Sequence, residues 1–121
     1  MGIKSYKDLI VWQKSIALVS EVYKICHSLP KFEIYILASQ MIRSAISIPA
    51  NIAEGHARRY RAEFLQFLSI AYASSTELET HLIICKAQYT TIDYTKADAL
   101  LIEVQKMLIS LLKTLRTNPS R

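Results

Sequence analysis

The sequence predicts an all-α protein: one domain over residues 1–121, folded as an antiparallel up-down-up-down four-helix bundle. Three observations carry that prediction. Apolar residues make up 51% of the chain and only two glycines and three prolines interrupt it, which is too apolar for disorder and too poor in turn residues for an all-β fold. Four stretches place apolar residues in alternating steps of three and four, the spacing that gathers one face of a helix. The breaks between them, at Pro30, at Gly55 and over 89–94, are short, and short connections make long helices antiparallel neighbours.

The first helix spans about 5–28, with Ser5 as N-cap and Asp8 as first-turn acid. Leu9, Trp12, Ile16, Val19, Tyr23 and Cys26 form one apolar stripe; Val11, Leu18, Val22, Ile25 and Leu29 form another. One stripe serves a bundle core. Two imply burial on a second side, with another subunit as the partner and Leu18 and Val22 as candidate interface residues. The second helix, about 32–55, carries Leu37, Met41, Ala45, Ile48 and Ile52 and ends near Gly55, read as a C-cap. Pro49 lies inside it, where the missing N–H and the ring cost ~3 kcal/mol unless a kink absorbs them.

The third helix, about 61–89, runs through Phe64, Phe67, Ala71, Ser75, Leu78, Leu82 and Cys85, with small residues over 69–76 that permit close approach. Thr95 and Asp98 open the fourth, about 95–117, whose Leu101, Val104, Leu108, Leu111 and Leu115 make a strict seam.

That topology gives the net charge of +5 a location. The N-terminus, the turn between helices two and three, and the C-terminus meet at one end of the bundle. Lys4, Lys7, Arg58, Arg59, Arg61, Lys113, Arg116 and Arg121 gather there against Asp8, Glu54 and Glu63, so the entire formal excess sits at one pole. Cations favour helix C-termini and solvent for structural reasons. A clustered excess also suits a polyanion. The candidate nucleic-acid ligands are Arg58, Arg59, Arg61, Lys4, Lys7, Lys113 and Arg116, and Tyr60, between two arginines, offers a stacking face for a base.

Arg43, Asn51, Glu54, Ser74 and Glu77 are the polar residues of interest in helices two and three. Folding that hairpin about 57–58 puts Arg43 near Tyr72 and Ser74, and Glu54 near Arg58 and Arg61. The arrangement reads as an inter-helix network that sets register, in preference to a ligand pocket. No metal or cofactor is expected. Adjacent Cys26 and His27 point about 100° apart on a helix, and Cys26 and Cys85 fall on apolar seams with no export signal to oxidise them. No nucleophile elbow, Glu-x-x-His pair or phosphate-binding glycine loop is present, so no enzymatic activity is expected. Charges interrupt every apolar stretch, which implies a cytoplasmic protein without a membrane partner.

The chain resembles the bacterial 23S rRNA intervening-sequence proteins. The resemblance rests on Lys7-Asp8-Leu9-Ile10-Val11-Trp12-Gln13-Lys14, on Pro30, Glu33, Tyr35, Leu37, Gln40 and Arg43, and on Ser47 through Gly55 followed by Arg58. It continues through Glu63-Phe64, Phe67-Leu68, Ala71, Ser74, Glu77-Leu78-Glu79 and Leu82. Ile42, Tyr60 and Tyr72-Ala73 depart from the family's usual arginine, capping serine and basic-Gly pair. The resemblance implies a four-helix bundle related to the accessory proteins of diversity-generating retroelements, hence a homopentamer that binds nucleic acid without catalysis. Two functions follow as expectations: a nonenzymatic nucleic-acid-binding protein for structured RNA, or an oligomeric helical module that docks proteins.

Overall fold

The computed structural model describes residues 5–117. A 3₁₀ turn at Tyr6–Asp8 precedes α1 (Ile10–His27), and a second at Lys31–Tyr35 precedes α2 (Leu37–Ala57); α3 (Arg61–Gln88) and α4 (Thr95–Thr117) complete the bundle. No strand occurs among the described residues. The predicted first helix is therefore split. Ser5 Oγ accepts from the Lys7 amide and Asp8 Oδ2 accepts from the Ser5 amide, so the capping box exists. It caps only the short turn, because Leu9 is extended (φ −72°, ψ 124°) and α1 starts after it. Ile36, at φ −118° and ψ −99°, is neither helical nor extended and splits the predicted second helix as well.

Paired contacts fix the directions. On α2 and α3, Ser44 meets His81, Ser47 meets Ser74, and Gly55 faces Phe67. On α3 and α4, Arg61 reaches Leu115, Ser75 meets Gln105, and Lys86 pairs with Asp98. Numbers rise on one helix as they fall on the other, so both pairs are antiparallel. Lys14 pairs with Glu103, while Lys24 and Ser28 share a cleft with Asp93 and Lys96, which sets α1 antiparallel to α4. Each helix packs on two neighbours in the ring α1–α2–α3–α4.

Leu18, Val22, Met41, Ile48, Ile52, Leu68, Leu78, Leu82, Val104 and Leu108 fill the interior with almost no exposure. Each such side chain stabilises the fold by about 1.5–3 kcal/mol relative to exposure. Leu18 and Val22 thus belong to the protomer core, which corrects their assignment to a subunit interface. The inward stripe of α1 is Val11, Ser15, Leu18, Val22 and Ile25; the other, with Ile16 and Tyr23 each 41% exposed, faces outward. Ser15, Ser44 and Ser75 are buried because each hydroxyl donates to a carbonyl one turn back in its own helix, at 2.7, 3.1 and 2.6 Å.

Gly55 is not a C-cap. It is buried inside α2, which continues to Ala57, and no described residue has positive φ. Its missing side chain instead lets α2 approach α3: a Cβ there would lie 2.7 Å from Phe67 Cβ. Pro49 is also buried within α2, and the helix runs through it without interruption.

Candidate nucleic-acid interface

Antiparallel packing brings the Tyr6–Asp8 turn, the α2–α3 turn and the last turns of α4 to one end. Arg58 closes α2 with an extended backbone, and its amide donates to the Gly55 carbonyl. Tyr60 is extended too and precedes α3 without a side-chain cap. Only Arg58, Arg59 and Tyr60 separate two long helices, so side chains of this turn are pushed outward.

The arginines are not equivalent. Arg58 Nη2 donates to Glu54 Oε2 at 2.8 Å, and its guanidinium lies 4.8 Å from the Phe67 ring centroid. Arg59 is exposed and approaches the Tyr60 ring at 5.8 Å; that ring is 62% exposed. Arg61 is half-buried, and Nη1 donates to the Leu115 carbonyl at 3.2 Å. That carbonyl belongs to the negative end of the α4 dipole, so Arg61 ties α3 to α4 as well as adding charge. Lys7 is exposed beside Tyr6, whose ring packs edge-on against Trp12 at 5.3 Å. Lys113 and Arg116 are exposed on α4. Lys4 and Arg121 lie outside the described residues.

Six of the seven candidate ligands thus share this end. Lys106 is a further cation on α4. It is exposed on α4 and continues a 3-4 stripe through Ile102, Lys106, Ile109, Lys113 and Arg116, and no acid occurs in the chain after Glu103. The spacing was readable, but the isoleucines within it disguised a basic face.

The five-residue polar network forms only in part, and Arg43 and Glu77 stand outside it. Asn51 Nδ2 donates to the Ser47 carbonyl and hydroxyl, and the Ser47 and Ser74 hydroxyls share a hydrogen bond of 2.8 Å. Glu54 pairs with Arg58 at the helix end, as the folded hairpin placed it. Arg43 and Glu77 are exposed and make no hydrogen bond or ion pair among the described residues. The cause is register. With α2 running to Ala57, the turn centres nearer Arg59, so residue 44 lies opposite 81 and Arg43 falls well away from Ser74.

At the opposite end, Glu33 is buried and accepts from the Tyr89 hydroxyl at 2.6 Å, a bond that pushes the Tyr89 phenol up to about 12. The Tyr94 hydroxyl donates to the Tyr89 carbonyl at 2.8 Å and lies 3.4 Å from Cys85 Sγ; burial raises its pKa. Burial, with Cys85 nearby, pushes the Cys26 thiol up to about 11. Both cysteines are free. No group of three or more metal-ligating side chains forms among the described residues, and no described helix is long and apolar enough to cross a membrane.

The 23S rRNA-intervening sequence protein family matches residues 7–110. A crystal structure from Bacteroides thetaiotaomicron, of a protein with unknown function from the S23 ribosomal protein family, is similar to this chain at 27% identity. The likeness has a TM-score of 0.73 and covers 87% of this chain and 100% of that one. Among curated proteins there is no match. With a match that begins at Lys7 on the basic pole and runs through all four helices, this chain belongs to the 23S rRNA-intervening sequence protein family.

Proposed function

We propose that this protein is a nonenzymatic, cytoplasmic nucleic-acid-binding protein that holds structured RNA at its basic pole and acts as a homo-oligomer, a homopentamer as the family resemblance implies. One observation carries the reading: Arg59, Lys113 and Arg116 are exposed at one end and form no ion pair among the described residues. Of the acids there, Glu54 engages Arg58 and Asp8 caps the Ser5 amide. Each phosphate contact releases condensed counterions, and repetition of a weak site around an axis multiplies a binding that one copy holds poorly. The outward stripe of α1, with Ile16 and Tyr23 exposed, supports self-association.

The test is RNA binding by fluorescence anisotropy across a salt series, beside sedimentation equilibrium. Binding weakens steeply with salt, and replacing Lys7, Arg59 and Lys113 by Ala lowers the slope by roughly 0.7–0.9 per lost phosphate contact with helicity intact. Absence of salt-sensitive binding at low ionic strength overturns the reading. A second reading, a protein-docking module, is favoured by the Lys31–Tyr35 turn, where Phe32 and Tyr35 are 65% and 91% exposed. Docking of that kind is insensitive to salt.

A further inference from the structure

We infer that the cleft between α3 and α4 beside the basic pole is a pocket for an unpaired nucleobase, with the α4 cations holding the phosphates that flank it. The inference rests on the nucleic-acid reading above and specifies which part of an RNA the protein grips. Ser69 and Tyr72 of α3 and Ile109, Leu112 and Arg116 of α4 line a cleft of about 310 Å³. That volume falls at the small end of ligand clefts. Ile109 is 51% exposed, Tyr72 is half-buried and Leu112 is buried, so the cleft has an apolar floor reachable from solvent. Ser69 and Arg116 add polar groups to the same lining.

Charge decides the class of occupant. Lys106, Lys113 and Arg116 lie three residues before, four after and seven after Ile109, on one face of α4. They span about 15 Å of helix. An occupant that suits the cleft therefore sets an apolar face against Ile109, Tyr72 and Leu112 and carries anionic groups toward Lys106 on one side and Lys113 and Arg116 on the other. A nucleotide strand with one base turned out meets both demands. A paired duplex does not, because its bases stack on each other and none is free to enter the cleft. Tyr72 supplies an aromatic surface for the base and Ser69 a hydroxyl for its edge. Arg116 is a candidate for either a phosphate or the base face.

The test compares three fluorescent RNAs: a single strand, the same sequence as a duplex, and the single strand with central abasic sites. The wild type prefers the intact single strand. Tyr72→Ala weakens that binding roughly 5- to 150-fold, the range for loss of one base–aromatic stack, without changing its salt slope. Ile109→Glu serves as the second variant, because its site is half exposed and the fold tolerates a carboxylate there; it too weakens the single strand more than the duplex. Lys106→Ala flattens the salt slope by roughly 0.7. Equal affinity for intact and abasic strands, or intact binding by both Tyr72→Ala and Ile109→Glu, overturns the base pocket while leaving the basic pole standing. Failure of the wild type to bind any of the three RNAs overturns the nucleic-acid reading itself.

Discussion

Replacing Gly55 by Ala sets two well-measured effects against each other, and the geometry decides the sign. Helix propensity favours alanine over glycine within a helix by about 0.8–1.0 kcal/mol. Packing opposes it. The new Cβ would meet Phe67 Cβ at 2.7 Å, Phe64 Cδ1 at 3.0 Å and the Phe64 carbonyl oxygen at 3.3 Å. Phe67 Cβ is one bond from the backbone and no rotamer change moves it, so α2 and α3 must separate locally. Overpacking of this kind costs ~1–3 kcal/mol. A contact this short belongs in the upper half of that range, which leaves Gly55→Ala destabilised by about 1–2 kcal/mol net. For a domain of this size that lowers Tm by about 4–8 °C. Thermal unfolding followed by far-UV circular dichroism measures it. An unchanged or higher Tm would show that propensity alone governs this position and would refute the close-approach argument.

Other outcomes follow from the same contacts. Leu18→Ala leaves a cavity and costs ~2–5 kcal/mol in urea unfolding without altering the mass of the folded assembly, whereas Tyr23→Glu on the outward stripe lowers that mass in sedimentation and leaves protomer stability nearly unchanged. Tyr89 has a folded pKa of about 12, above its unfolded value of about 10. Its contribution to stability is therefore complete below pH ~10 and lost as pH rises toward 12; a Tyr89→Phe variant in pH-dependent urea unfolding should lack that part of the decline. With its thiol at about 11, Cys26 is thiolate in only about one molecule in ten thousand at neutral pH, so a maleimide dye labels the native protein about two orders of magnitude more slowly than the urea-unfolded chain.

The starts of α3 and α4, and the end of α4, were legible because each coincides with a break in apolar spacing at Arg61, Thr95 and Thr117. The two stripes of α1 were legible as stripes, but not which one faces inward. Ser15 interrupts the buried stripe, and its burial is permitted by a bond to its own helix that composition does not announce. Gly55 was visible as unusual and misread, because a terminating glycine and a close-packing glycine look alike until φ and the neighbouring helix are known. The basic pole followed from topology alone. The Glu54–Arg58 pair was legible too, but the cross-helix placement of Arg43 was not, because register depends on where a three-residue turn is centred. An error of a few residues there moves Arg43 from a partner to open solvent.

The α2–α3 hairpin also bears on the order of folding. Its two long helices are joined by only three nonhelical residues, and the cross-helix contacts of Ser44, Ser47 and Gly55 require no distant segment. Closing so short a loop costs little chain entropy. Contacts this local are expected to form early in folding, which φ-values at Ser47 and Ser74 would report. The residues that close the loop are Arg58, Arg59 and Tyr60, the cationic turn of the proposed RNA interface. Substitutions in this stretch therefore bear on refolding kinetics as well as on the proposed RNA binding.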